Sequence, residues 1–197
     1  MKAFGSIDII SIVMETLEKA TLAGGCFWCT EAIFKRLKGI EDIASGYSGG
    51  ARSDPSYEQV TTGATGHAEA IQVEFDPKVI PYEKILEIFF HLHDPTTLNR
   101  QGADEGTQYR SAIFYHNDAQ QDVAEKVRDE VADEGVWKDP IITEIVPFEN
   151  FYRAEEYHQN YYDNNKNQGY CSYVIGPKIH KLLKDYTKEV KDEYKTS

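Results

Sequence analysis

Thiols and basic side chains are both scarce in this chain. Its three cysteines, Cys26, Cys29 and Cys171, are odd in number, which argues against the paired framework of a disulfide-built secreted domain and fits a reducing, cytoplasmic compartment. Lysine and arginine number 21 against 33 aspartates and glutamates, a net charge of −12, and the basic residues form no patch or stripe. Nucleic acid and anionic membranes are therefore not expected as partners. Long apolar runs are missing too: the stretch Ile7 to Met14 is interrupted or followed by Asp8, Glu15 and Glu18, with no small-residue cleavage site, so neither a leader nor a membrane span is expected. No internal repeat is visible. Low complexity is confined to Asp163-Asn164-Asn165-Lys166-Asn167-Gln168-Gly169, expected as a flexible loop.

Aromatic residues, by contrast, are plentiful, with 13 Tyr and 9 Phe to supply a core and a pocket. A chain of 197 residues can bury one full core and is short for two, so a single domain and a monomer are expected, with the body over about 19–176 and a C-terminal helix and tail over about 177–197. The patterning predicts a strand over about 19–24, a helix over 26–38 and a strand over 40–47 ending at Gly46-Tyr47-Ser48-Gly49-Gly50. After a polar loop come a strand from Glu69 to Phe75, a helix from Pro81 through Leu92 and a strand from Tyr109 to Tyr115. This β-α-β-β-α-β order is that of a split βαβ, or ferredoxin-like, unit, and an α+β two-layer sandwich follows. Beyond it, Asp118 with Gln121 predicts a capping box for a helix carrying Val123, Val127 and Val131. The run Ile141 to Val146 predicts an added strand, and Pro177 to Lys195 an exposed amphipathic helix.

The densest chemistry lies in Gly24-Gly25-Cys26-Phe27-Trp28-Cys29-Thr30-Glu31, where a glycine-terminated strand gives way to a helix. N–H groups and the helix dipole at such a start favour a thiolate, which makes Cys26 a candidate nucleophile, and Phe27 and Trp28 would form an apolar wall beside it. Three other readings stand beside this one. Cysteine is often a small buried hydrophobe; Cys26 and Cys29 could form a thioredoxin-like dithiol; or they could hold zinc with His91, His93 or Cys171 completing the shell.

Alternation along the predicted third strand puts Glu69 on the apolar side with Ile71, Val73 and Phe75. Desolvation there would raise its pKa and make it a general acid near neutral pH; at an exposed strand end it would be an ordinary carboxylate. Tyr57 in its turn-rich loop, Asp104 and Tyr109 in the polar Asp104 to Ser111 segment, and His158 carry no such signal of their own. Cys171 follows the Asn-rich loop and could move to meet a sulfenic acid, while Cys29 lies three residues from Cys26 on one helix; either could resolve it.

Taken together, Gly25-Cys26-Phe27-Trp28, Gly46-Tyr47-Ser48-Gly49-Gly50, Pro55-Ser56-Tyr57, Thr65-Gly66-His67-Ala68-Glu69-Ala70, His93-Asp94-Pro95, Asn99 to Asp104, Gly106 to Ser111 and Tyr157-His158-Gln159 resemble the A-type peptide methionine sulfoxide reductases over about residues 19–176. The resemblance implies a two-layer α+β fold and reduction of the S epimer of methionine sulfoxide, free or in proteins, as repair of oxidative damage. It implies Cys26 as nucleophile, Glu69 as proton donor, Phe27 and Trp28 as the pocket for the substrate's methyl group, Tyr57 and Tyr109 as hydrogen-bond partners of the sulfoxide oxygen, and Asp104 as an acid that helps bind substrate. Thioredoxin is implied as reductant, with no metal or organic cofactor. Many members have glycine where this chain has Cys29 and place resolving cysteines toward the C-terminus; Cys171 is the sole distal cysteine here, so the resemblance favours Cys171 as first resolver and leaves a role for Cys29 open.

Overall fold

The structure is a computed structural model that describes residues 17–195; the Ile7 to Met14 run lies outside the described residues. Strand β1 (Glu18–Gly24), helix α1 (Phe27–Phe34), β2 (Ile40–Ser48), α2 (Tyr57–Thr61), β3 (Ala68–Phe75) and α3 (Tyr82–Leu92) make up the first half. A short hairpin of β4 (Arg100–Gln101) and β5 (Asp104–Glu105) leads through a 3-10 turn at Thr107–Tyr109 into β6 (Ser111–Tyr115). Then come α4 (Asp118–Asp133), β7 (Glu144–Pro147), β8 (Phe151–Arg153), α5 (Tyr161–Asn164) and α6 (Gly176–Asp185). The fold mixes α and β elements around one sheet of order β7-β6-β1-β3-β2-β8, antiparallel except for the β6–β7 pair.

Alternation along the strands separates the two faces of that sheet. Ala20 and Leu22 of β1, Ile71, Val73 and Phe75 of β3 and Ile113 of β6 pack with Phe27, Ile33 and Phe34 of α1, Ile85, Phe89 and Phe90 of α3 and Val127 and Val131 of α4. Full burial of each large apolar side chain contributes about 1.5–3 kcal/mol. The opposite face is lined by small residues, Ala23, Ala68, Ala70 and Ala112, with Phe114, and Val146, Phe148 and Phe151 cover it. Among the described residues no helix is long and apolar enough to cross a membrane.

Several elements differ from expectation at their ends. Tyr109 closes the 3-10 turn and the strand starts at Ser111. The cap of α4 is Asn117, whose side chain accepts a 3.0 Å bond from the Gln120 N–H, with Asp118 inside the first turn. The run after Pro140 forms strand only from Glu144, alongside β6. The C-terminal segment is not an exposed helix: Leu182 and Val190 are fully buried, α6 ends at Asp185, and Val190 bridges back to Leu37. Its apolar residues had to be covered, and a straight helix to Lys195 would have carried Val190 off the body. The Asn-rich segment is not wholly a loop either, since Asp163 sits in α5 and pairs with Arg36 at 2.6 Å.

One glycine decides how β1 hands over to α1. Gly25 has φ +86°, and a Cβ there would lie 2.5 Å from Gln101 Cγ, a side chain pinned by its amide to both the N–H and the C=O of Asp94. We expect Gly25→Ala to lose ~1–3 kcal/mol of stability from backbone strain alone, read as a lower urea midpoint; an unchanged midpoint would show that the turn relaxes freely.

Candidate active site

Cys26 is the N-cap of α1, with φ −56° and ψ 122°, and its carbonyl accepts the N–H groups of Cys29 at 3.0 Å and Thr30 at 3.4 Å. The Phe27 N–H, left over at the helix start, donates instead to Glu69 Oε2 at 3.0 Å. Glu69 reaches that position from β3, where it pairs across from Tyr47 of β2. Its strand is held in turn by His67: Nδ1 accepts the Gly50 N–H at 3.0 Å, so Nε2 carries the proton and donates to the Arg52 carbonyl at 2.7 Å.

Cys26, Phe27, Trp28, Tyr57, Glu69, Asp104, Tyr109 and Tyr170 line a cavity of about 140 Å³. All the residues singled out as nucleophile, acid, aromatic wall and oxygen or substrate contacts therefore meet there, drawn from α1, α2, β3, the β4–β5 hairpin and the 3-10 turn. Cys29 and Cys171 do not line it; they lie behind Cys26 in an apolar cluster with Ala32, Ile175 and Ile179. Cys171 is fully buried and stands at the start of a π-helical turn, Cys171–Ile175, rather than in a mobile loop.

Burial governs the electrostatics of this pocket. Glu69 is 1% exposed, and desolvation pushes its carboxyl from 4.5 up to about 8 in spite of the Phe27 hydrogen bond, because one N–H does not replace a full hydration shell. Asp104 adds to the upward push. The expectation of a resting thiolate on Cys26 does not hold: burial, with Cys29 and Glu69 adding to it, holds the thiol well above its ordinary range. A helix start offers about 0.3–1 kcal/mol to an anion, whereas burying a charge costs several. The Cys26 hydrogen bond lowers Cys29 to about 7. Burial pushes Tyr57 up to about 12 and raises Tyr109 as well, so both phenols remain donors near neutral pH.

The aromatic wall is fixed by residues that sequence alone did not single out. The Trp28 indole stacks on Tyr161 at 3.7 Å between centroids, and its N–H donates to His158 Nδ1 at 3.1 Å. Tyr161 is brought there because α1 and the turn after it grip the segment 160–163 with buried charges: Glu31 accepts the Asn160 N–H at 2.8 Å and Arg36 pairs with Asp163. Glu155 accepts the Tyr57 N–H at 2.9 Å and the Tyr47 hydroxyl at 2.8 Å. Glu31, a lone charge within the apolar α1, and Arg36, just past its end, are the charged residues in the sequence that make this anchorage. The histidines considered for a zinc shell are engaged elsewhere, His93 with the Phe89 carbonyl and Ser111 hydroxyl, His91 with Glu134, Tyr186 and the Glu87 carbonyl. Among the described residues no group of three or more His, Cys, Asp or Glu could hold a metal ion.

Comparison with known proteins points the same way. A family model described as peptide methionine sulfoxide reductase matches residues 18–191. The peptide methionine sulfoxide reductase MsrA of Polynucleobacter asymbioticus is 50% identical over 181 residues, covering 92% of this chain and 95% of that protein. MsrA of Sulfolobus acidocaldarius is 54% identical over 170 residues, 86% of this chain and 96% of that one. Among solved structures, reduced Mxr1 from Saccharomyces cerevisiae superposes with a TM-score of 0.73 at 40% identity, covering 83% of this chain and 94% of that chain. Mxr1 in complex with Trx2 gives a TM-score of 0.53 at 32% identity, covering 78% and 91%.

The raised pKa of Glu69 has a stability signature of known sign. Between the unfolded value of 4.5 and the folded value of about 8 the folded chain holds the extra proton, so stability falls as pH rises through that window. Relative to Glu69→Gln, the wild-type chain should be at its most stable below about pH 4.5 and lose that advantage progressively up to about pH 8. Urea unfolding of both proteins across this range is the check; a parallel pair of curves would mean that the carboxyl is ionised as usual.

Proposed function

The chain belongs to the peptide methionine sulfoxide reductase family and reduces methionine sulfoxide, and we propose that the pocket at the start of α1 is where it does so. The observation that carries this reading is a buried thiol and a buried, protonated carboxyl on one small cavity, Cys26 and Glu69, with the Phe27 N–H tying the acid to the nucleophile's helix. Substrate enters as the S epimer, its methyl group against Phe27 and Trp28. The Tyr57 and Tyr109 hydroxyls donate to the sulfoxide oxygen, and Asp104 helps bind the substrate.

The reaction balances without an external proton. Cys26 sulfur attacks the sulfoxide sulfur as the S–O bond breaks, Glu69 supplies a proton to the departing oxygen, and the thiol proton restores the carboxyl. The hydroxide so released bonds to the Cys26 sulfur as the new S–S bond breaks and its electron pair leaves with methionine, so Cys26 becomes a sulfenic acid, oxidised by two electrons as the sulfoxide is reduced by two. A second thiol then displaces water to form a disulfide. Cys171 is the first resolver, supported by its place in the same apolar cluster as Cys26 and Cys29, and Cys29 can pass the disulfide on. Thioredoxin reduces that disulfide by exchange, a role supported by the Mxr1–Trx2 complex. No metal or organic cofactor enters these steps. The compartment is the reducing cytoplasm, in keeping with three free cysteines.

For the fold, the same family reading favours a split βαβ unit. The order β6-β1-β3-β2, with β3 inserted between β1 and β2 and with α1 and α3 packed into one core, supports it.

Single-turnover assays test the chemistry. Cys26→Ser should form no methionine, and Glu69→Gln should fold yet lose on the order of 10² or more in rate, the contribution of a positioned acid. Methionine formation at wild-type rate by either variant would remove that residue from the mechanism. Recycling is tested separately: Cys171→Ser should release one methionine per enzyme at near-normal rate and then stall with thioredoxin, while Cys29→Ser slows turnover less. If Cys29→Ser stalls and Cys171→Ser cycles, the resolving pair is Cys26 and Cys29.

A further inference from the structure

Asp104 has a partner within the pocket itself. Its Oδ2 accepts a 2.7 Å hydrogen bond from the Tyr170 hydroxyl, whose oxygen also lies 3.9 Å from Cys29 Sγ. The Tyr170 ring stands edge-on to Trp28, with centroids 5.9 Å apart and planes at 79°. Of the residues lining the cavity, Tyr170 is the one supplied by the C-terminal segment. It is followed directly by Cys171, fully buried, and by the π-helical turn Cys171–Ile175 that runs into α6. Isolated π turns are rare and recur at functional sites. On the other side, residues 166–169 are exposed, and a Cβ on Gly169 would meet nothing within 4 Å.

The cavity is also small. Its volume of about 140 Å³ is well below the ~300–1,000 Å³ of ordinary small-molecule sites, so it suits one inserted side chain and leaves the flanking backbone of a substrate at its rim. Phe27, Trp28 and Glu69 are fixed by α1, by stacking on Tyr161 and by β3. The Tyr170 wall is held at its polar end by the bond to Asp104.

We propose that Tyr170 is a positioning residue that couples occupancy of the pocket to release of Cys171. A substrate main-chain N–H that bonds to Asp104 displaces the Tyr170 hydroxyl, and the turn carrying Cys171 then leaves its buried seat to meet the sulfenic acid formed on Cys26. The resolving thiol is thereby withheld until a sulfoxide has been bound. This rests on the reading of Asp104 as a substrate contact given above.

The test is the rate at which iodoacetamide alkylates Cys171, followed by peptide mass mapping in Cys26→Ser so that no turnover occurs, with and without saturating N-acetylmethionine sulfoxide methylamide. Alkylation is expected to be slow without ligand and at least tenfold faster with it. In Tyr170→Phe combined with Cys26→Ser it should be fast in both conditions, while Cys29, buried in the same cluster but on α1, remains protected. In the Cys26 enzyme, Tyr170→Phe should lower KM severalfold, because the hydroxyl no longer competes for Asp104; a merely structural loosening would not tighten binding. Asp104→Asn should raise KM and expose Cys171 together. An unchanged KM in Asp104→Asn overturns the Asp104 reading. A raised KM there, with Cys171 protection unmoved by ligand or by Tyr170→Phe, overturns the coupling alone.

Discussion

The hydrogen bond from the Phe27 N–H to Glu69 joins the first turn of α1 to β3, and the arrangement of the pocket depends on what it requires. For the bond to form, the glycine pair must end β1 tightly enough for the helix to begin over the sheet, and Glu69 must point to the helix face among Ile71 and Val73. Both conditions bury the carboxyl. The bond itself favours the charged form, yet desolvation outweighs it, and the result is an acid that keeps its proton to about pH 8. The contact that orients Glu69 thus belongs to the same geometry that keeps its proton on it.

Burial acts on the thiol as well, because the same dry pocket raises Cys26. In the resting state both groups hold their protons, and attack must be coupled to proton movement within the pocket. That coupling suits a reaction whose overall proton balance is zero, where a thiol and a sulfoxide become a sulfenic acid and a thioether. It also keeps an unoccupied Cys26 from reacting with oxidants in solution, since the thiolate is the reactive form.

Local patterns made part of this legible in the sequence. Gly24-Gly25 before Cys26 marked the strand-to-helix turn, and period-two alternation put Glu69 on the buried face, because both signals are set by neighbours in the chain. Tyr57, Asp104 and Tyr109 gave no signal of their own and were identified through family resemblance. The residues that hold the aromatic wall were harder to see: His158 and Tyr161 meet Trp28 across some 130 positions of chain, and Tyr170 meets Asp104 across 66. The protonation of Cys26 was misjudged for a related reason. A helix start is visible in the sequence, whereas the depth at which the fold buries it is not.

The central claim is that burial keeps Glu69 protonated at neutral pH while it holds the Phe27 N–H. Difference infrared spectroscopy of the free enzyme, with Glu69→Gln as the subtraction reference, reads this directly from the carboxylic acid C=O stretch as pH is raised. The account predicts a protonated carboxyl at pH 7 that is lost with a midpoint near 8. A midpoint near 4.5, the ordinary value, would contradict it and leave the proposed proton donor ionised at neutral pH.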